Sequence, residues 1–306
     1  MSIKKQASVK WAPIAGRWTC VERTVKYDGP EEQRDPFGLV LSSDRLRQGN
    51  LEVTVKLEDP IANSARLVLG YDSSSGNYFS VGIGGYGRAY VLDEFVQGKG
   101  WGGLALQGST GNIQKSVDIA LRVDLRGQRA RLTVDDVTVI EQNLPHPLLG
   151  DQVGLFAWGP SPVAFNRFGI TASPPRVFVI MQFTEPFNSF FRHVIQPVAM
   201  RSGLEAFRGS DIYKPGIILD DIIRDILESE VIIAEITPSN ANVFYELGYA
   251  HALGKQTILL ADRASASLPF DIRGYRVIFY ENTIKGKPEV ERELEAHLKS
   301  IMSGFE

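Results

Sequence analysis

The sequence holds one cysteine, Cys20, only four histidines and no long apolar run. A lone cysteine excludes an internal disulfide and a cysteine-built zinc cluster and fits a reducing compartment; Cys20 itself is expected to be a small, buried or half-buried apolar side chain. His146, His193, His251 and His297 show no metal-ligand spacing, so no metal is expected. No stretch is apolar enough for a bilayer, and Met1 to Trp11 has lysines without the apolar run of a secretion signal, so a cytoplasmic protein without a membrane partner is expected. A net charge of -3 leaves no basic surplus, so no nucleic-acid partner is expected. Phosphate loops of the GKS or GKT kind are absent. Gly82-Ile-Gly-Gly-Tyr-Gly87 matches the letters of a dinucleotide fingerprint but lacks the helix that must follow, and reads as a glycine-rich turn or bulge.

What is present divides in two. A chain of 306 residues exceeds one typical core, and two domains are expected. Residues 1–172 repeat short runs of β-branched and aromatic residues between glycine, asparagine and aspartate turns such as Ser74 to Asn77 and Asp124 to Gly127. Leu51 to Leu57, Val117 to Val123 and Ala130 to Val134 alternate apolar and polar, the period of a strand with one face on a core and one in water. With no helical stretch between them, such strands predict an all-β sandwich.

At Ser173-Pro-Pro175 a linker is expected, because successive prolines offer no backbone donor and hold the chain extended. Residues 176–306 then alternate wholly apolar runs with amphipathic stretches. The runs are Val177 to Met181, Val231 to Ala234, Thr257 to Ala261 and Val277 to Tyr280, with a weaker one near Leu204 to Arg208. The amphipathic stretches are Asn188 to Arg201, Ile217 to Glu228, Asn242 to Gly254 and Pro288 to Met302. Apolar strands buried on both faces, each followed by a helix, predict a flavodoxin-like α/β domain with a five-stranded parallel sheet. For the order 2-1-3-4-5 the ligand crevice lies beyond the carboxyl ends of the first and third strands, at the loops Phe183 to Asn188 and Thr237 to Asn242.

The second loop opens into a helix on which Val243, Leu247, Ala250 and Gly254 follow the spacing of a buried stripe. Glu246 stands beside that stripe at the sheet edge. No capping box accounts for it, since the residue three positions earlier is Val243; a glutamate favoured by the helix macrodipole is the competing explanation. Asn188, Asn240 and Asn242 are candidate partners for phosphate or ribose hydroxyls, or equally helix caps and turn formers. Phe183, Tyr213 and Tyr245 are candidate stacking surfaces for a base, or core.

The run Asn242-Val-Phe-Tyr-Glu-Leu-Gly-Tyr-Ala, preceded by Val231-Ile-Ile-Ala-Glu-Ile-Thr237 and followed by Leu268-Pro-Phe-Asp-Ile272, resembles the TIR-like and nucleoside 2-deoxyribosyltransferase-like superfamily over about the last 130 residues. The resemblance implies that Glu246 acts at the anomeric carbon of a ribosyl group, as in members that cleave NAD or that transfer or hydrolyse nucleosides. Many relatives carry aspartate where this chain has Glu235, so a polar contact there is altered or lost; Glu235 and Asp211 are counted with the substrate-binding candidates. Transferases also need an acid for the leaving base; Asp211, Asp220 and Asp221 are the candidates. The first domain resembles a concanavalin A-like jelly roll of the lectin and glucanase type, through its strand rhythm and the closing runs Gln152 to Trp158 and Val163 to Ile170, without the glucanase Glu-x-Asp-x-x-Glu signature. Trp101, Trp158, Tyr86 and Tyr90 are then a candidate sugar-binding face, weighed against inter-sheet packing.

Breaking a ribose-to-base bond builds positive charge on the sugar, which a nearby carboxylate stabilises or captures. Nicotinamide leaves NAD neutral and needs no acid, whereas a purine or pyrimidine needs a proton. One strong carboxylate and no assigned acid favour NAD, as substrate and with no cofactor. The expectation is a NAD glycohydrolase of bacterial immune, anti-phage type, gated by the sandwich through a carbohydrate or protein ligand and active as a homo-oligomer. The alternatives are a nucleoside 2-deoxyribosyltransferase or nucleotide N-glycosidase, and a non-catalytic nucleotide-binding signalling module.

Overall fold

A computed structural model describes residues 9–21, 23–30, 36–209, 218–264 and 272–303. The chain forms two compact units, one of Met1–Leu125, Arg129–Leu144 and Leu148–Ser173, the other of Pro174–Glu306 with Arg126–Gln128 and Pro145–Pro147.

In the first unit, alternation writes the strands: β1 (Trp11–Ala15), β2 (Arg17–Val21), β3 (Thr24–Gly29), β4 (Phe37–Arg45), β5 (Gly49–Leu57), β6 (Ser64–Tyr71), β7 (Tyr78–Ile83), β8 (Tyr90–Val96), β9 (Gly100–Gln107), β10 (Asp118–Arg126), β11 (Arg129–Val134), β12 (Val137–Asn143), β13 (Gln152–Trp158) and β14 (Val163–Ala172). They form two antiparallel seven-stranded sheets, ordered β1-β4-β13-β6-β7-β8-β9 and β12-β11-β10-β5-β14-β3-β2. This is a jelly-roll sandwich. Leu51, Val53, Val55 and Leu57 of β5 point inward beside Val123, Leu121 and Ile119 of β10, paired Leu51 with Val123, Val53 with Leu121 and Val55 with Ile119. Strand β10 runs through Arg126, so the turn expected over Asp124 to Gly127 starts later than its residues suggest.

The first sheet departs from simple alternation. Strands β6 and β7 are buried along almost their whole length, because a second apolar cluster of Leu39, Leu41, Val68, Tyr78 and Phe156 covers the sheet's outer face. Cys20 corrects an expectation: it is exposed, since β2 is an edge strand of the second sheet with little packed over it.

The second unit follows the alternating pattern, with strands β15 (Arg176–Ile180), β16 (Glu205–Phe207), β17 (Val231–Glu235), β18 (Gln256–Asp262) and β19 (Val277–Tyr280). Its helices are α1 (Phe187–Phe190), α2 (Gln196–Arg201), α3 (Ile218–Glu228), α4 (Ala241–Ala252) and α5 (Lys287–Ser303). The sheet is parallel, in the order β16-β15-β17-β18-β19. Alternate residues of the apolar runs serve two cores. Val177, Val179, Val231 and Ile233 meet Val194, Val198, Leu294 and Leu298 on one face; Phe178, Ile180, Ile232 and Ala234 meet Ile226, Val243, Leu247 and Ala250 on the other.

The stretch expected as one helix from Asn188 is α1 and α2 joined by a π-helical turn at Phe191–Ile195. Pro197 follows within α2, where its missing N–H interrupts the regular ladder. Helix α4 stops as expected, with Gly254 in the left-handed region at φ +68° donating to the carbonyl of His251.

Candidate functional site at the carboxyl edge of the parallel sheet

A parallel sheet puts the carboxyl ends of all its strands on one edge, and the loops leaving β15 and β17 meet there. Gln182 Nε2 of the first loop donates to the carbonyl of Pro238 in the second, at 3.2 Å. Beyond Pro238, Asn240 adopts an extended backbone, and its Oδ1 accepts from the N–H groups of Asn242 (2.9 Å) and Val243 (3.4 Å). Asn240 is therefore the cap that starts α4, a use of its side-chain oxygen that leaves only its amide NH2 for a ligand.

Capping fixes the rotation of α4. Val243, Leu247 and Ala250 enter the core, and Glu246, one turn after Val243 and one before Ala250, is half-buried at the rim of that stripe. Burial pushes its carboxyl up to about 7. Among the described residues no cation or hydrogen-bond donor pairs with it. A desolvated, unpartnered carboxylate at the ligand edge of an α/β sheet is the arrangement that a reacting group requires.

The other expected residues fall into three groups. Asn242 is exposed and one turn before Glu246, on the same side of α4, whereas Tyr245 is 58% exposed and stands about 100° around the helix from Glu246. Phe183, 52% exposed, lies on the loop after β15, and Asn188 lies in α1, which that loop leads into. Asn188 donates Nδ2 to the carbonyl of Phe183 at 3.3 Å and accepts at Oδ1 from Arg208 Nη1 at 2.7 Å. Both polar ends of Asn188 thus hold the loop and the guanidinium. Asp211 and Tyr213 lie outside the described residues, as do residues 268–271. Of the acid candidates, Asp220 is exposed and Asp221 is ion-paired with Arg224.

Glu235 is 1% exposed and serves the scaffold. It accepts from the Thr237 N–H at 3.1 Å, from Thr237 Oγ1 at 2.5 Å and from the Tyr280 hydroxyl at 3.2 Å. Thr237 Oγ1 in turn accepts from the Asp262 N–H at 2.8 Å. The carboxyl ends of β17, β18 and β19 are laced together through this one group. Burial pushes Glu235 up to about 7, against the Thr237 and Tyr280 hydrogen bonds that pull it down. Tyr280 also stacks on Phe190, centroids 4.5 Å apart, so Tyr280→Phe keeps the ring and removes one hydrogen bond. Its expected cost is about 1 kcal/mol, read from the loss of helix circular dichroism in denaturant; among the described residues the α-helices all belong to this unit.

Arg208 and Tyr280 were missed in the sequence. Arg208 follows β16 directly and is 9% exposed, its guanidinium over the rings of Phe191 (4.3 Å) and Phe183 (5.5 Å). The only signal for it was a cation right after the weakest strand. On the α1 and α5 side of the same edge, a cavity of about 220 Å³ lies between Ser189, His193, Tyr280 and Lys287, with no α4 residue in its walls.

No protein-family model and no curated protein matches the chain. Solved structures match each half separately. The carbohydrate binding module CBM66 from Bacillus subtilis covers 52% of this chain and 92% of its own, at 18% identity and a TM-score of 0.44. A CMP N-glycosidase from Clostridium botulinum covers 40% of this chain and 98% of its own, at 23% identity and a TM-score of 0.32. The TIR domain of a Toll-related receptor from Hydra magnipapillata covers 40% and 97%, at 16% identity and a TM-score of 0.33. All three TM-scores lie below 0.5 and all three identities below 25%, so these likenesses carry no residue roles and no activity.

Proposed function

We propose that the carboxyl-terminal unit is a glycohydrolase that cleaves the nicotinamide-ribose bond of NAD, with Glu246 acting at the anomeric carbon. The observation that carries this reading is Glu246 itself, half-buried, unpartnered among the described residues and lifted to about 7 at the ligand edge. As the C–N bond lengthens, positive charge moves from the pyridinium ring to the sugar, and a poorly solvated carboxylate stabilises it there more than in the ground state. The bonding pair leaves with nicotinamide, which departs neutral. Water then adds its oxygen to the sugar and loses its proton, giving ADP-ribose. No general acid is needed, which suits a site where Asp221 is paired and Asp220 exposed.

A second reading, a nucleotide N-glycosidase, is favoured by two observations. A carboxyl near 7 is half-protonated at neutral pH and supplies the proton that a departing base needs. The buried guanidinium of Arg208 suits the phosphate of a nucleoside monophosphate. In the first reading the sandwich is the recognising half of an effector of bacterial immune type, with activity gained as copies assemble; the second reading needs no activator.

Incubating the purified chain with NAD, nucleoside monophosphates and nucleosides, at low and high protein concentration, tests this directly. Nicotinamide and ADP-ribose are expected, at a rate rising more steeply than protein concentration. Free base from monophosphates with NAD intact would transfer the assignment to the second reading. Thermal stabilisation by nucleotide without any product would sink both and leave a binding module.

A further inference from the structure

The sandwich holds a polar cluster that its packing does not require. Arg66 of β6 and Asp93 of β8, 4% and 0% exposed, are ion-paired on the outer face of the first sheet. Ser80 of β7 accepts from Arg66 Nη1 at 3.3 Å and donates to Asp93 Oδ1 at 2.5 Å. Arg66 Nε and Nη2 both donate to the carbonyl of Gly84, at 3.2 and 2.9 Å, and the Tyr86 hydroxyl donates to Asp93 Oδ2 at 3.2 Å. Gly85 makes the room, at φ +119°: a Cβ there would stand 1.9 Å from Arg66 Nη2. After these bonds one Nη2 hydrogen and one Oδ1 lone pair are still uncommitted.

The cluster opens onto a cavity of about 270 Å³ whose remaining walls are the rings of Tyr86, Trp101, Phe156 and Trp158. Tyr86 and Trp158 are exposed, at 51% and 40%, and Trp101 is half-buried. Tyr90 does not belong to this wall, since it packs against the inner core. The ion pair forms the polar end of an aromatic cleft.

We propose that this cavity is a saccharide-binding site that takes one sugar ring, its apolar C–H face on Trp158 and Trp101 and a hydroxyl edge on Arg66, which Asp93 holds from behind. A hydroxyl oxygen accepts from the uncommitted Nη2 hydrogen. A flat aromatic ligand meets the walls and leaves the polar end unanswered. The volume lies below the roughly 300–1,000 Å³ of drug-sized sites, so one ring fills the cavity and any further units of a chain lie outside it.

All four tryptophans, Trp11, Trp18, Trp101 and Trp158, belong to the sandwich, and two of them line the cavity, so intrinsic fluorescence reports occupancy. The full chain is titrated with methyl glycosides of hexoses and pentoses, neutral and acidic, with their disaccharides, and with indole as the aromatic control. A saturable change with at least one saccharide is expected, weakened about tenfold or more in Trp158→Ala and in Tyr86→Ala. Both residues are exposed enough to replace without unfolding the sheet, which unchanged circular dichroism verifies. Silence across the saccharides overturns the proposal, as does indole binding alone or an affinity that survives both substitutions.

Discussion

Glu246→Gln is expected to lower the rate of N-glycosidic cleavage on the order of 10³-fold while leaving the chain folded, the scale of losing one charged group at a reacting centre. Glutamine keeps the size of the side chain, removes its charge and exchanges one accepting oxygen for a donating NH2, so the loss separates electrostatics from packing. The same substitution has an opposite effect on stability. Burial raises the folded carboxyl from the usual 4.5 to about 7, so between those values the folded state holds more protons than the unfolded chain. Stability from this group is then complete below about 4.5 and is lost as pH rises toward 7. Glu246→Gln is accordingly expected to stabilise the chain at pH 8 by about 1–2 kcal/mol, after discounting for the solvent that still reaches the group, and to be neutral near pH 4. Thermal melts of both proteins at the two pH values measure it. Glu235, raised in the same direction by burial, contributes to the wild-type slope in both proteins and cancels in the difference. A mutant that is inactive and equally destabilised at both pH values would mean that Glu246 is a packing residue, and the catalytic reading would fall with it.

Removing Asp93 is the substitution expected to cost the sandwich most. Asp93→Ala leaves the Arg66 guanidinium buried without its counter-ion and removes the acceptor of the Ser80 and Tyr86 hydroxyls, at an expected cost of about 3–5 kcal/mol. Replacing both partners, as in Arg66→Met with Asp93→Leu, is expected to recover most of that loss, because two apolar side chains carry no desolvation penalty in a face already lined by Phe156 and Trp101. Urea unfolding followed by tryptophan fluorescence reads the sandwich alone, since the other unit has no tryptophan. The double variant then separates stability from recognition. If it folds as well as the wild type and binds no saccharide, the ion pair serves the ligand; if it binds undiminished, the hydroxyl-edge contact is wrong.

Several features of the molecule were legible because they are local in the chain. Leu51 to Leu57 alternates with period two and forms β5 with its even-numbered residues outward; a pattern of that kind needs no partner to be read. The wholly apolar runs at Val177, Val231, Thr257 and Val277 became the strands of a parallel sheet with the expected 2-1-3-4-5 order, since helices on both faces demand apolar residues at every position. The stripe on α4 and the glycine that ends it fixed where Glu246 stands, because helix rotation follows from spacing alone. The stretch Asn188 to Arg201 read as one helix, and the π turn within it, followed by Pro197, was not read from its pattern.

Tertiary structure alone decided which polar groups meet. Nothing in the run around Glu235 tells that its carboxylate turns inward to Tyr280, 45 positions away, or that Asn188 holds Arg208 across 20. Arg66 and Asp93, 27 positions apart on strands separated by β7, look like ordinary outward charges of alternating strands. Burial of that face by Tyr78, Phe156 and their neighbours is what turns them into an ion pair. The physical reason is the same in each case. Backbone periodicity and caps are set by residues within a turn or two, whereas the partner of a buried charge is chosen by strand order and register, which depend on contacts spread over the whole domain.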